Sequence, residues 1–543
     1  MTFRELLSSV TRREWKFVWL SAAAAVFLLA IPPVVGYVVG WRSGTPWSGV
    51  QYLAPGDLAV YLSFIEQSKA GAVLLENKFT TQETVPAFNL LWWAVGRLAA
   101  VLSLSAIAAY HVARSLLIPV LAAVAYLCVS YFFCARRERQ LAFVLLFFSS
   151  GLGAYFAPLF VSSAVGERVH EWPIDLWVSE AHLFASMSYS PHFVASWILL
   201  LLAALFLVWS FEGGRWRYAA LAGACAFLLF QFHPYHAPTL YALGGVGVLL
   251  SLMIDRSAWR RRAGSVAIFV MLSAPAVLYH YVVMNADQMG REIVAASYTP
   301  TPSPIHLLIG FGVFVGLAPI GTILLRRKNQ LSAKHIFLWL WIGSALAMSY
   351  AGFVFERRLV EGLQFPLVVL SVPAIVWLID WWRRTDSRRT ALAIVPILLA
   401  AVLFFPSSFA VLTRHVSLYL TNDPPIAFFS SAERQALDWI GQATPADAAF
   451  VGYVQSGMQI VGWGNRRTYF GHWVNSGNYM DRRSEVVSFF SELTDSERAE
   501  FMRRHELNYV YYGPRERPLG QFEESEYFSL EYSGGDIEIY RLR

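Results

Sequence analysis

Gly56-Asp57-Leu58-Ala59-Val60-Tyr61 heads a long polar loop, residues 41–107, that follows an apolar run at residues 17–39. At about 1.5 Å of rise per residue, that run is long enough to cross the hydrocarbon core of a bilayer. The loop therefore delivers a carboxylate, Asp57, to one face of a membrane just past the first span. Glu66, Lys69, Glu76, Lys78 and Glu83 follow, and then an aromatic segment with Phe88, Trp92 and Trp93. A loop this large and this mixed in charge points to chemistry done at the membrane face.

The composition around it fits. Of 543 residues, 56% are apolar and only 15% charged, with a mean hydropathy of +0.45. A soluble domain carries about 25% charged residues, so this is an integral membrane protein. The formal charge of +6 does not indicate nucleic acid, because the basic residues lie in short clusters between apolar runs, as membrane topology requires. Cys128, Cys134 and Cys225 all sit in apolar runs and form neither a metal-spaced pair nor a disulfide framework. The first run is too long for a cleaved signal and ends without a small-x-small site, so it reads as a retained span.

Apolar runs place about eleven spans, near 17–40, 108–134, 140–160, 190–212, 216–233, 236–254, 264–284, 304–325, 335–354, 361–380 and 391–413. With that register the clusters Arg136-Arg137-Glu138-Arg139, Arg215-Trp216-Arg217, Arg256 with Arg260 to Arg262, Arg326-Arg327-Lys328 with Lys334, and Arg383-Arg384 with Arg388-Arg389 share one side. The positive-inside rule makes that side, and the amino terminus, cytoplasmic. Residues 86–106 are read as an interfacial or re-entrant segment, amphipathic around Trp92, Trp93 and Arg97, since counting them as a span would invert the charge pattern. From Asp423-Pro424-Pro425 onward the composition becomes ordinary. The expected fold is mainly α, a polytopic helical bundle over 1–422, with a small α/β domain at 423–543 on the outer side. In that domain Ser430 or Ser431 caps a helix, 449–454 and 508–512 are strands, 484–490 and 496–505 are helical, and 537–541 alternates like an edge strand.

The outer loops then collect the ionisable residues that carry no topology signal. The second holds Glu167, Arg168, His170, Glu171, Asp175, Glu180 and His182, with His192 at the start of the next span. The turn between the fifth and sixth spans is His233-Pro234-Tyr235-His236-Ala237-Pro238, and the loop before the tenth reads Glu356-Arg357-Arg358-Leu359-Val360-Glu361. Charged side chains at membrane depth are costly and by default mark a site. Each has a plainer reading. Asp57 would cap a helix starting at Leu58, the histidines would be satisfied by carbonyls, and the arginines would snorkel to headgroups. Two arginines on the outer side oppose the positive-inside bias, which favours anion binding there. No Walker motif, dinucleotide fingerprint or zinc signature is present, so ATP-driven chemistry has no support.

This layout resembles the GT-C membrane glycosyltransferases, the family of protein mannosyltransferases, lipid A aminoarabinose transferases and oligosaccharyltransferases, and looks most like a bacterial member. The shared features are a cytoplasmic amino terminus, a long first outer loop with an acid soon after the first span, many spans and an outer carboxy-terminal domain. Leu58, following Asp57, departs from the Asp-Glu pair of the mannosyltransferases. Trp92-Trp93 and Trp381-Trp382 lack the Asp that follows in oligosaccharyltransferases.

The resemblance implies a sugar donor on a polyprenyl phosphate or pyrophosphate and a glycan, lipid or protein acceptor in the plasma membrane, with no nucleic acid. Asp57 would be the general base, or the acid that orients a metal. Arg357 and Arg358 would hold the lipid phosphate, helped by His233 or His236. Tyr61, Lys78, Asp175, Glu180, His182 and His192 are further candidates for substrate contact. Attack from the far side would invert the anomeric carbon. A divalent cation, Mg or Mn, is a further expectation, with Asp57 its one candidate ligand. The competing reading is a transporter or flippase of a lipid-linked or anionic solute. That class favours inverted repeats, and none is evident in the sequence. A third reading makes the outer domain a binding module on an anchor, for which eleven or so spans are far more than needed.

Overall fold

The computed structural model describes residues 2–160, 172–213, 215–254, 256–385, 394–423 and 425–543. Glu167, Arg168, His170 and Glu171 of the second outer loop, Arg388 and Arg389 of the last basic cluster, and Pro424 of the linker lie outside the described residues.

Among the described residues, six helices are long and apolar enough to cross a membrane: Arg12–Ser43, Ala106–Phe132, Pro191–Glu212, Pro234–Met253, Trp259–Ala286 and Glu356–Arg384. Three bent pairs bring the number to as many as nine: Arg136–Phe148 with Gly153–Leu159, Pro304–Phe311 with Val313–Arg327, and Leu398–Phe404 with Pro406–Thr421. The other two stretches expected to span coincide with the shorter apolar helices Trp216–Phe230 and Ala333–Met348. The chain is a multi-pass membrane protein. Leu20, Phe27, Val34, Met271 and Leu278 expose large apolar side chains along these helices, a face suited to lipid and costly in water. The 73° bend after Phe311 falls at Gly312, whose φ of 56° lies in the left-handed region that glycine enters without steric cost.

Backbone proximity divides the chain into two compact units. The first comprises Met1–Ala30, Val112–Tyr279 and Thr299–Arg414. Its core forms around Pro191–Gly213, a helix apolar on every face and therefore buried. Trp197, Trp209, Trp341, Phe143, Phe147, Phe230 and Phe269 are fully enclosed. Helices Val313–Arg327 and Gln364–Thr385 pack backbone to backbone at Gly321, where a Cβ would stand 2.0 Å from the Leu370 carbonyl oxygen. Arg139 does more than mark topology: it lies 3.4 Å from the buried Glu14, which also accepts from the Tyr126 hydroxyl at 2.8 Å.

The second unit comprises Ile31–His111, His280–Tyr298 and His415–Arg543. Ser430 caps Ser431–Ala443 in a capping box with Glu433. Strands β1 (Ala449–Val451), β2 (Arg467–Thr468), β3 (Tyr509–Tyr512), β4 (Phe528–Gly534) and β5 (Ile537–Leu542) form one sheet in the order β2-β1-β3-β5-β4. β1 pairs parallel with β2 and β3, and β5 pairs antiparallel with β3 and β4. The expectation that residues 537–541 form an edge strand is corrected here. β4 covers that edge through a tight turn at Gly535, φ 63°, so the alternation in β5 reflects its two faces rather than an open side.

The head of the first loop packs into this same unit. Helix Asp57–Lys69 lies against helix Val454–Gly464, with Ala59, Val60, Phe79 and Val461 enclosed together. A Cβ at Gly462 would stand 2.9 Å from that of Ala59, so the approach needs a glycine. Lys78 O accepts from Thr468 N at 2.9 Å, Asn77 Nδ2 donates to Asn475 O at 2.7 Å, and Arg467 pairs with Glu76 at 2.8 Å. Within 86–106 the helix is Leu90–Val101, 12 residues and about 18 Å long, well short of the ~30 Å core of a bilayer. Trp92 is not an interfacial anchor here. It is buried and stacked on Tyr61 at 4.5 Å.

Candidate active site

The capping position of helix Asp57–Lys69 is Gly56, and Asp57 is the first helical residue, which overturns the reading of Asp57 as the cap. Its carboxylate sits at the positive end of the helix dipole and is one-third exposed, with Oδ1 3.4 Å from Nε2 of His472. His472 is 3% exposed, and its Nδ1 accepts from the backbone N–H groups of Val474 and Asn475, both at 3.1 Å. An imidazole nitrogen that accepts two such bonds carries no proton, so the proton is on Nε2 and faces Asp57. A partly open carboxylate beside a buried imidazole is suited to taking a proton from a hydroxyl.

Tyr61 and Lys78 are bound up in structure. Tyr61 stacks on Trp92 and lies 6.3 Å from Tyr110, ring to ring. Lys78 Nζ donates to the carbonyl and side-chain oxygens of Asn465 at 3.0 and 2.7 Å. Burial pushes its amine down to about 8, because a desolvated ammonium is disfavoured.

The first unit gathers a second set. His233 Nδ1 and His236 Nε2 each lie 3.0 Å from Ser196 Oγ, and they stand 3.5 and 3.1 Å from Oε2 of Glu361. All four residues are buried. Pro234 holds the two histidines on a tight 3-10 turn, Pro234–His236, so that both rings converge. The His192 ring is 5.7 Å from that of His233, and its Nδ1 is 2.7 Å from Ser190 Oγ. Arg358 stacks over Tyr235 of the same turn at 4.2 Å, and Arg357 over Trp177 at 4.7 Å. His233, His236 and Glu361 each offer a ligand atom, all within 4.8 Å of one another.

Of the sequence candidates, His192, His233, His236 and Arg358 therefore meet in one place. Glu180 is buried, accepts from Ser179 Oγ at 3.1 Å and is close enough to repel the Glu361 carboxylate. Asp175 accepts from the Gly153 amide at 3.0 Å, at the start of the second half of a bent span. His182 is bonded through Nε2 to the Gly310 carbonyl at 2.7 Å. Both bonds lie near the bends of helices. The sequence assigned no role to Glu361, His472 or Ser196. A lone Glu opening an apolar run was the one available signal; nothing local marked the other two.

A profile described as "Family of unknown function (DUF6541)" matches residues 356–543. No curated protein matches the chain in sequence. Among solved structures, the chain is similar to the oligosaccharyltransferase of Archaeoglobus fulgidus tethered to an acceptor peptide. The TM-score is 0.51 at 11% identity, over 91% of this chain and 70% of that one. It is also similar to the Archaeoglobus fulgidus oligosaccharyltransferase in complex with an inhibitory peptide and a dolichol-phosphate, with a TM-score of 0.50 at 12% identity over the same shares. At such identities the likeness is one of fold alone, a GT-C fold.

Proposed function

We propose that the chain is an integral membrane glycosyltransferase that moves a sugar from a polyprenyl-phosphate or pyrophosphate carrier to a glycan, lipid or protein acceptor. The observation that carries this reading is the GT-C fold, extending over 91% of the chain. The solved relative with dolichol-phosphate supports a lipid-linked donor. The acceptor oxygen attacks the anomeric carbon as the bond from that carbon to the phosphate oxygen breaks. The bonding pair leaves with the phosphate, and the acceptor proton passes to Asp57. Attack opposite the leaving group inverts the centre.

Asp57 fits the role of base because it is partly open and faces a fixed N–H donor. Arg357 and Arg358 supply planar, permanently charged donors for the carrier phosphate, and they stack on Trp177 and Tyr235. The protein works in a bacterial plasma membrane with residues 423–543 on the outer side.

The test is transfer from radiolabelled polyprenyl-phosphate sugars by the wild-type chain and Asp57→Asn. General acid–base groups contribute roughly 10²–10⁴-fold, so the variant should lose at least that much while still folding. Near-wild-type transfer by Asp57→Asn would move the base elsewhere. Donor flipping across liposomes without transfer would replace the enzyme by a flippase.

A further inference from the structure

We infer that His233, His236 and Glu361 bind one divalent cation of the zinc class, with the Ser196 hydroxyl as the fourth neighbour. Three observations point there. The first is donor chemistry. Two imidazoles and one carboxylate suit zinc, cobalt or nickel, whereas magnesium prefers an all-oxygen shell. The set is therefore a different kind of site from one built on Asp57.

The second is geometry. Bonds of about 2.05 Å in a tetrahedral shell separate neighbouring ligand atoms by roughly 3.3 Å. Glu361 Oε2 lies 3.5 Å from His233 Nδ1 and 3.1 Å from His236 Nε2, and all three atoms fall within 4.8 Å. Ser196 Oγ, 3.0 Å from both nitrogens, completes a closed set of four.

The third is charge. Glu361 is 1% exposed, and its ion-pair partners among the described residues are the two histidines. A buried carboxylate with only two histidines as ion-pair partners among the described residues is costly, and a dication would neutralise it. The plainer alternative is a hydrogen-bonded cluster in which each histidine presents an N–H, and the experiment separates the two.

Buried among these residues, the cation would act as a brace. It ties the Pro234–His236 turn to the end of the Glu356–Val360 turn. Those two turns also meet where Arg358 stacks on Tyr235. The cation would thus fix the arginine that the proposed function assigns to the carrier phosphate. That role rests on the transferase reading; metal binding does not.

The full chain, stripped with a chelator in detergent, is titrated with Co²⁺ and then Zn²⁺. One ion per chain, with intense tetrahedral cobalt absorption, is expected for wild type and for Asp57→Asn. His236→Gln and Glu361→Gln should weaken Co²⁺ binding at least 100-fold while eluting as folded monodisperse protein. Failure of stripped wild type to take up either ion overturns the site, as does full retention of binding by the His233→Gln/His236→Gln double variant. Should the variants fail to fold, the wild-type titration alone decides. Zinc uptake by a wild-type chain that transfers no sugar upholds the site while failing the transferase reading. Transfer and donor affinity unchanged by stripping would overturn the bracing role.

Discussion

His472 presents Nε2 to Asp57 at 3.4 Å while two backbone amides hold its Nδ1. The ring is thus set with its N–H side toward the carboxylate, and its lone pair is not available to a metal on that side. ¹⁵N-histidine spectra should show His472 as the neutral tautomer protonated at Nε2. His472→Gln, which can offer an N–H at a similar reach, should retain more transfer than His472→Ala. The alanine variant should lose about 10-fold in kcat with KM little changed, since His472 is assigned no contact with the donor. An Nδ1-protonated ring would refute the arrangement.

Arg357 and Arg358 are both stacked on aromatic rings. Charge-assisted hydrogen bonds of this kind contribute about 1.5–3 kcal/mol, so Arg358→Ala should weaken carrier-phosphate binding roughly 10–100-fold. Arg358→Lys should recover little of it, because an ammonium neither stacks nor forks as a guanidinium does. Binding of a polyprenyl phosphate in nanodiscs, followed by fluorescence, checks both. Equal affinity in the lysine variant would reduce the role to charge alone.

Lys78 titrates low, at about 8 against 10.5 when unperturbed. Between those values the unfolded chain holds a proton that the folded chain has lost, so stability rises with pH across the window. Below pH 8 the folded state carries the cost of an enclosed ammonium. Pulse acylation followed by mass spectrometry should show Lys78 reaching half-maximal reactivity near pH 8. An ordinary lysine profile would contradict this.

Gly321 tests the helix packing. Its Cβ would stand 2.0 Å from a backbone oxygen of Leu370, and backbone cannot move aside as a side chain can. Gly321→Ala should cost about 1–3 kcal/mol, seen as a lower midpoint in thermal unfolding in detergent. Gly316→Ala, with open space around its Cβ, is the control, expected to be near neutral.

The sequence by itself determined the elements whose signals are local. Apolar runs and basic clusters give the helices long enough to cross a membrane, because each span must satisfy its own backbone and bury its charge near an interface. A cap such as Ser430, and strands such as 509–512, are legible for the same reason: their partners lie a few residues away. The first-loop acid was found by its place after the first span. Tertiary structure alone decided which polar residues meet. His472 reaches Asp57 across more than four hundred residues of chain, and Glu361 reaches His236 across more than a hundred. No periodicity records such a pairing, since it is made by the packing of helices Asp57–Lys69 and Val454–Gly464 in one case and by two facing turns in the other. The same limit explains β5, whose alternation looks identical whether its neighbour is water or β4. Asp175 and His182 likewise meet their partners, Gly153 and Gly310, only in the fold.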